Sequence, residues 1–286
     1  MDEARRKSTY SVAAGVAVAA KLAAEGRFIF TTDDARRVAA DLGMPSSGVG
    51  MMLSRLTGAG WIKRLRRGLY AGTGRVPGGT DIPELAVATA LVQPSAISLW
   101  SALSFHDLTT QVPLIVMATA PRKVTAPSMR ATGHADSGRM SSGKHGWRVD
   151  QVEFTFMSVR PDRFFGIENV WIDQFFRVPI MDRERTVLDL IACPRFFGGL
   201  DTALATLDEN WRELDLPRLV DYAIRYDSKA LAARLGWCLE EVEVESNAIE
   251  RLRAHAGPGQ QLLDPTRPAR GRRNSRWSIL NNMRAR

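Results

Sequence analysis

The chain has 286 residues and carries 39 Lys+Arg against 31 Asp+Glu, a formal net charge of +8. Its apolar content is ample for two cores and its length suits two domains of ordinary size. No apolar run approaches the roughly 20 residues of a membrane-spanning helix, which excludes that class and leaves no membrane partner to expect.

Residues 1–24 place basic side chains before an Ala/Val stretch, faintly in the manner of an export signal. Lys21 interrupts that stretch and its alanines suit a helix better, so a cytoplasmic protein is expected. Cys193 and Cys238 sit in partly apolar helical segments and read as small core residues, not as a disulfide.

In chain order, Tyr10 to Glu25 predicts a helix closed by Gly26. Arg27-Phe28-Ile29-Phe30 reads as a short strand, and Thr31-Thr32-Asp33 caps a second helix through Leu42, closed by Gly43. A third helix is expected after Pro45, with Ser46 or Ser47 capping its free N–H groups. Val49, Met52, Leu53 and Leu56 recur at helical spacing and form its buried face. Ser46, Ser47, Gly50, Met51, Ser54 and Arg55 are left for the opposite face. Gly58 and Gly60 stop this helix. Trp61 to Leu65 then reads as a strand, Arg66-Arg67-Gly68 as a turn, and Leu69-Tyr70-Ala71 as the returning strand.

Helix, strand, helix, turn, helix and basic hairpin is the order of a winged helix-turn-helix. In such modules the last helix enters the major groove, and the wing reaches phosphates or the neighbouring minor groove. Small and polar residues on the outer helix face leave room for close approach to base edges. A module used only for protein contact is the alternative, and the charge distribution argues against it. Residues 1–75 hold 13 Lys+Arg and 6 Asp+Glu, a net of +7, whereas residues 149–266 hold 13 and 21, a net of −8. Residues 267–286 hold seven Arg and no acid. Cations on a reading module release counterions from DNA and supply sequence-independent affinity that falls with salt. Lys63, Arg64, Arg66 and Arg67 lead as phosphate contacts. Arg36 and Arg37 are weaker candidates, since a helical charge pair is also what a solvated face carries.

Residues 1–75 are therefore expected to form the DNA-binding domain, and residues 81–286 a second, α+β domain. Gly72 to Thr80 is the linker. Glu84 to Val92 and about Leu99 to Leu108 read as helices, and Val112 to Ala120 as a buried strand. Residues 121–148, with six Lys+Arg and one Asp, form either a mobile basic loop or a long connection between strands. Val152 to Val159 and Phe175 to Ile180 are strands. The remainder reads as a helical layer: Arg183 to Ala192 capped by Asp182, Gly199 to Trp211, Pro217 to Tyr226, Lys229 to Glu240, and Asn247 to Ala256.

The stretch from Val178 to Ile191, VPIMDRERTVLDLI, resembles the core of the AbiEi antitoxin family. So do Gly198-Gly199, Tyr222 followed by Ala230 to Glu240, the late Leu263-Asp264-Pro265 with Arg276-Trp277, and the Ser98 to Leu103 helix before the Pro113 strand. With the winged helix in front, the resemblance spans about residues 8–282. It implies an antitoxin of a bacterial abortive-infection operon. The winged helix would repress that operon by binding double-stranded promoter DNA. The second domain would counter a cognate nucleotidyltransferase-like toxin, generally without a stable complex. An oligomer on the DNA is compatible with this scheme.

Within the matched segments, Arg185 and Asp189 fall four apart and can pair on one helix face. Arg234 and Glu240 lie beside Leu231, Leu235 and Leu239. Two readings stand for these four: buried pairings that hold the domain's geometry, or a charged groove active in neutralisation. No catalytic residue, metal site or cofactor is predicted. His106, His134, His145 and His255 lack metal-ligand spacing, and Gly72-Thr73-Gly74-Arg75 lacks the strand-to-helix context of a phosphate cradle. Beside a non-catalytic repressor and antitoxin stand two alternatives: a phosphotransferase that modifies the toxin, and a ligand-responsive transcription regulator.

Overall fold

A computed structural model describes residues 12–125 and 146–283. Most of the expected basic loop 121–148 lies outside the described residues, as do His134 and His145. The chain is α+β and divides into two compact units. One comprises Met1–Gln93, Arg148–Val152 and Trp171–Arg177, and the other Pro94–Trp147, Glu153–Val170 and Val178–Arg286.

The first unit runs α1 (Val12–Ala24), β1 (Ile29–Thr31), α2 (Thr32–Asp41), a 3-10 turn (Ser46–Gly48), α3 (Val49–Gly58), β2 (Ile62–Arg66) and β3 (Leu69–Gly72). This is the expected helix-turn-helix with its hairpin. β3 is the middle strand, antiparallel to β1 and to β2. The start of α2 is fixed locally by a capping box. Thr31 Oγ1 accepts from the Asp34 N–H at 3.1 Å, and the Asp34 carboxylate accepts from the Thr31 N–H at 2.9 Å. Burial pushes the Asp34 pKa up, yet the bonds from Thr31 outweigh it and hold the carboxyl below its ordinary value.

Val49, Met52, Leu53 and Leu56 are all buried, as their spacing predicts, and pack with Val18, Leu22 and Phe30. Full burial of each of the larger side chains is worth about 1.5–3 kcal/mol. Gly15 on α1 lets the helices meet, since a Cβ there would stand 3.0–3.1 Å from Met52 and Leu56. The expected serine cap is not made. The 3-10 turn precedes α3, whose N-cap is Gly48 with no side-chain hydrogen bond, and both serines stay exposed.

α4 (Glu84–Leu91) follows in the same unit, which also takes in two later segments. In one of these Phe175 and Phe176 pack on Phe28, with ring centroids 5.1 and 5.5 Å apart. Phe175 does not begin a strand as expected, because Asp173 Oδ1 takes the N–H groups of Phe175 and Phe176, each at 2.7 Å.

The second unit is built on β4 (Ala96–Ile97), β5 (Ile115–Ala120), β6 (Trp147–Val149), β7 (Val152–Ser158), β8 (Ile167–Trp171) and β9 (Arg177–Met181), in the order β6-β7-β5-β4-β9-β8. α5 (Leu99–Phe105) lies between β4 and β5 in the chain. β5 starts three residues later than predicted. Pro113 offers no N–H to a ladder, and Val112 and Leu114 are 83% and 93% exposed.

The helical layer follows as α6 (Arg183–Ala192), α7 (Leu200–Asn210), α8 (Leu216–Arg225), α9 (Lys229–Glu241) and α10 (Ala248–Ala256). Side chains of Asp182, Asp215 and Ser228 cap α6, α8 and α9. Leu188, Leu190, Leu207, Leu219, Leu235 and Leu252 form its apolar interior. Both cysteines are free, and Cys238 is buried in this core.

The layer does not end the unit. The chain closes on a small sheet that no pattern in the sequence announces: β10 (Gln261–Leu262), β11 (Arg272–Asn274) and β12 (Ile279–Asn281), in the order β10-β12-β11. Trp277 anchors it, its ring lying so close to Gly236 of α9 that a Cβ there would fall 2.0 Å from the indole.

Candidate nucleic-acid interface

Ser46 and Ser47 stand exposed on the 3-10 turn, and Gly50, Met51, Ser54 and Arg55 are exposed on α3. Lys63, Arg64 and Arg66 are exposed on β2, and Arg67 in the turn after it. Gly68 at φ +75° makes that turn possible, because the left-handed region is strained for any residue with a Cβ. All ten predicted DNA-facing residues thus lie on the surface.

Strand geometry separates the four wing cations. Successive residues of a strand face opposite ways. Arg64 opposes Tyr70 and Lys63 opposes Ala71, and the register shifts between Arg64 and Arg66. Arg64, Arg67, Gly68 and Tyr70 line one side of a groove of about 600 Å³. Gly50, Ser54 and Thr57 of α3 line another side, and Thr31, Thr32, Asp33 and Arg36 at the head of α2 complete it. Arg64, Arg66 and Arg67 have no carboxylate partner among the described residues. Lys63 is placed otherwise: its Nζ lies 2.6 Å from Asp150 Oδ2.

Arg36 and Arg37 are also engaged, the former with Asp33 at 2.5 Å and the latter with Glu25 at 2.7 Å. The hydrogen bond from Arg37 holds the Glu25 carboxyl below its ordinary pKa. From the sequence, Thr31 and Thr32 read only as a helix cap and Tyr70 only as part of the returning strand, and nothing points to Thr57. Tyr70 stacks on Phe30 at 6.1 Å, which fixes its ring at the groove edge. The cross-strand partner of Arg64 would have pointed to it, but only once the register is known.

The four second-domain candidates fall in two places. Arg185 and Asp189 are fully buried on α6, with Arg185 Nε 3.0 Å from Asp189 Oδ1. Arg185 Nη1 donates to the carbonyls of Arg163 and Phe165 at 2.8 Å each, and the guanidinium lies over the Phe165 ring at 4.7 Å. Arg185 Nη2 and Asp189 Oδ2 have no hydrogen-bond partner among the described residues. Burial raises the Asp189 pKa against the pull of Arg185, and raises the nearby Cys193 thiol to about 11, which makes it a poor nucleophile at neutral pH. Arg234 and Glu240 take different partners. Arg234 Nε donates to the Leu262 carbonyl at 3.0 Å, while Glu240 accepts from Trp277 Nε1 at 2.7 Å and pairs with Arg276.

No group of three or more metal-ligating side chains is gathered among the described residues. No helix among them is long and apolar enough to cross a membrane.

The fold is a helix-turn-helix unit followed by an α+β unit. Residues 18–71, from within α1 to β3, match the family model described as the transcriptional regulator, AbiEi antitoxin. No curated protein matches the chain in sequence. Among solved structures it is similar to the crystal structure of the RV2827C protein from Mycobacterium tuberculosis. The TM-score is 0.61 at 13% identity over 96% of this chain and 93% of that one, a likeness of fold alone.

Proposed function

We propose that the protein is the antitoxin of a toxin–antitoxin operon and represses that operon through a winged helix-turn-helix at residues 1–75. Its partner in the cell is a nucleotidyltransferase-like toxin, countered by residues 81–286 without catalysis. The observation that carries the DNA reading is the groove between α3 and the hairpin. Gly50, Ser54 and Thr57 keep one wall low, Arg64 and Arg67 bring charge that no carboxylate among the described residues pairs with, and Asp33 of the same groove is taken up by Arg36. That is the arrangement a duplex requires: small side chains where base edges approach, and guanidinium groups where phosphates pass. The antitoxin reading rests on the family match of residues 18–71.

One set of full-length proteins tests both halves. Arg64, Arg66 and Arg67 changed together to Ala should weaken binding to every DNA. The plot of log affinity against log salt should become shallower by about 0.9 for each phosphate no longer neutralised. The same variant should still rescue growth of cells expressing the neighbouring toxin gene, while the operon promoter becomes active. Failure of the wild-type chain to rescue growth would sink the antitoxin reading. An unchanged salt slope would remove the wing from the interface. ATP-dependent phosphate appearing on the toxin would replace simple neutralisation by a phosphotransferase activity.

A further inference from the structure

Residues 149–266 carry a net charge of −8, and the arginines of the helical layer are engaged. Every arginine from Arg183 to Arg253 meets a carboxylate, a backbone carbonyl or an aromatic ring. Arg183 pairs with Glu213, Arg218 with Glu184 and Arg251 with Asp221, while Arg225 lies over Phe165 at 4.2 Å. The small C-terminal sheet breaks this pattern. Its anchoring cations behave like the rest: Arg267 pairs with Asp201, and Arg276 with Glu240 and Glu250. Arg270, Arg272 and Arg273 are exposed and meet no carboxylate among the described residues.

These three arginines sit on a held backbone. β11 is an edge strand, paired only with β12, with Arg272 opposite Asn281 and Arg273 opposite Leu280. Gly271 presses so close to β12 that a Cβ there would fall 1.8 Å from the Asn281 carbonyl oxygen. Trp277 is 1% exposed, and Asn282 Nδ2 donates to the Asp264 carbonyl at 2.8 Å. Successive residues on a strand project to opposite faces, so Arg272 and Arg273 flank the open edge. Charged side chains on an edge do guard against unwanted pairing. Lysine serves that purpose without the planar fork that guanidinium offers to phosphate.

We propose that β11 and the turn before it form a second phosphate-contacting surface for nucleic acid, with Arg270, Arg272 and Arg273 as its contacts. This rests on the DNA-binding reading of the first unit and adds sequence-independent affinity to it. The ribbon positions no group against base edges in this proposal, so its contribution is equal on operator and on unrelated DNA.

The test uses the full chain and duplex DNA of random sequence, with affinity measured across a salt series. The variant R270Q/R272Q/R273Q spares Gly271, Arg276 and Trp277, and circular dichroism checks that it is folded. Its salt slope should be shallower than wild type by about 2.7, from three phosphates at about 0.9 each. The Arg64/Arg66/Arg67 alanine variant, run in parallel, should lose a similar amount independently. A ribbon variant with the wild-type slope, beside a wing variant whose slope has flattened, would overturn the ribbon surface and leave the wing reading standing. A wild-type chain that binds no DNA would overturn both.

Discussion

In the first unit, Arg64 and Arg67 stand exposed at the edge of a groove and pair with no carboxylate among the described residues, Asp33 of the same groove being held by Arg36. In the second, Arg185 lies fully buried against Phe165, tied to Asp189 and two backbone carbonyls. The same side chain therefore has opposite energetics in the two places. An exposed, unpaired guanidinium contributes little to folding and keeps its charge available for an anion. A buried one has lost its water, and each hydrogen bond its neighbours do not replace is a cost to folding. The local environment, not the residue type, separates recognition from architecture.

The contrast is most easily broken at Arg185. Arg185→Met leaves the Asp189 carboxylate buried beside no cation, and should cost about 3–5 kcal/mol, read as a lower urea midpoint. Arg185→Met with Asp189→Leu should recover much of that loss, because the desolvated charge goes too. A single variant as stable as wild type would show that the pair is not structural. Arg55→Ala acts on the other side of the comparison. It should lower discrimination between promoter and random DNA by about 1–3 kcal/mol. Equal losses on both DNAs would make Arg55 a positioning residue only. The smallest effect is expected at Asp150. Asp150→Asn releases Lys63 from an exposed pair, changes stability by less than about 1 kcal/mol, and should steepen the salt slope by about 0.9. A slope that does not move would mean that Lys63 faces away from the duplex whether paired or not.

What is legible in the sequence depends on how far apart the interacting residues lie. The capping of α2 by Thr31 and Asp34 and of α6 by Asp182 is settled within four residues, and both starts agree with the sequence reading. The buried face of α3 follows from spacing alone. The Arg185–Asp189 pair is visible as an i, i+4 relation, but its burial depends on Phe165, 20 residues upstream. The split between Lys63 and Arg64 requires the register of β2 on β3, which a run of basic letters does not carry. The closing sheet escapes sequence reasoning because Arg-Arg-Asn in β11 shows no apolar alternation. Its strand character comes from pairing with β12 and from Trp277 seated on Gly236.

That seat has a consequence in time as well as in space. Strands of two or three residues are too short to hold one another in water. The closing sheet gains its stability from α9, through Trp277 on Gly236 and Arg276 on Glu240, contacts that reach back across about 40 residues of chain. The ribbon therefore depends on the helix it rests on, and its amide protons should exchange with solvent whenever α9 opens, which hydrogen exchange would read.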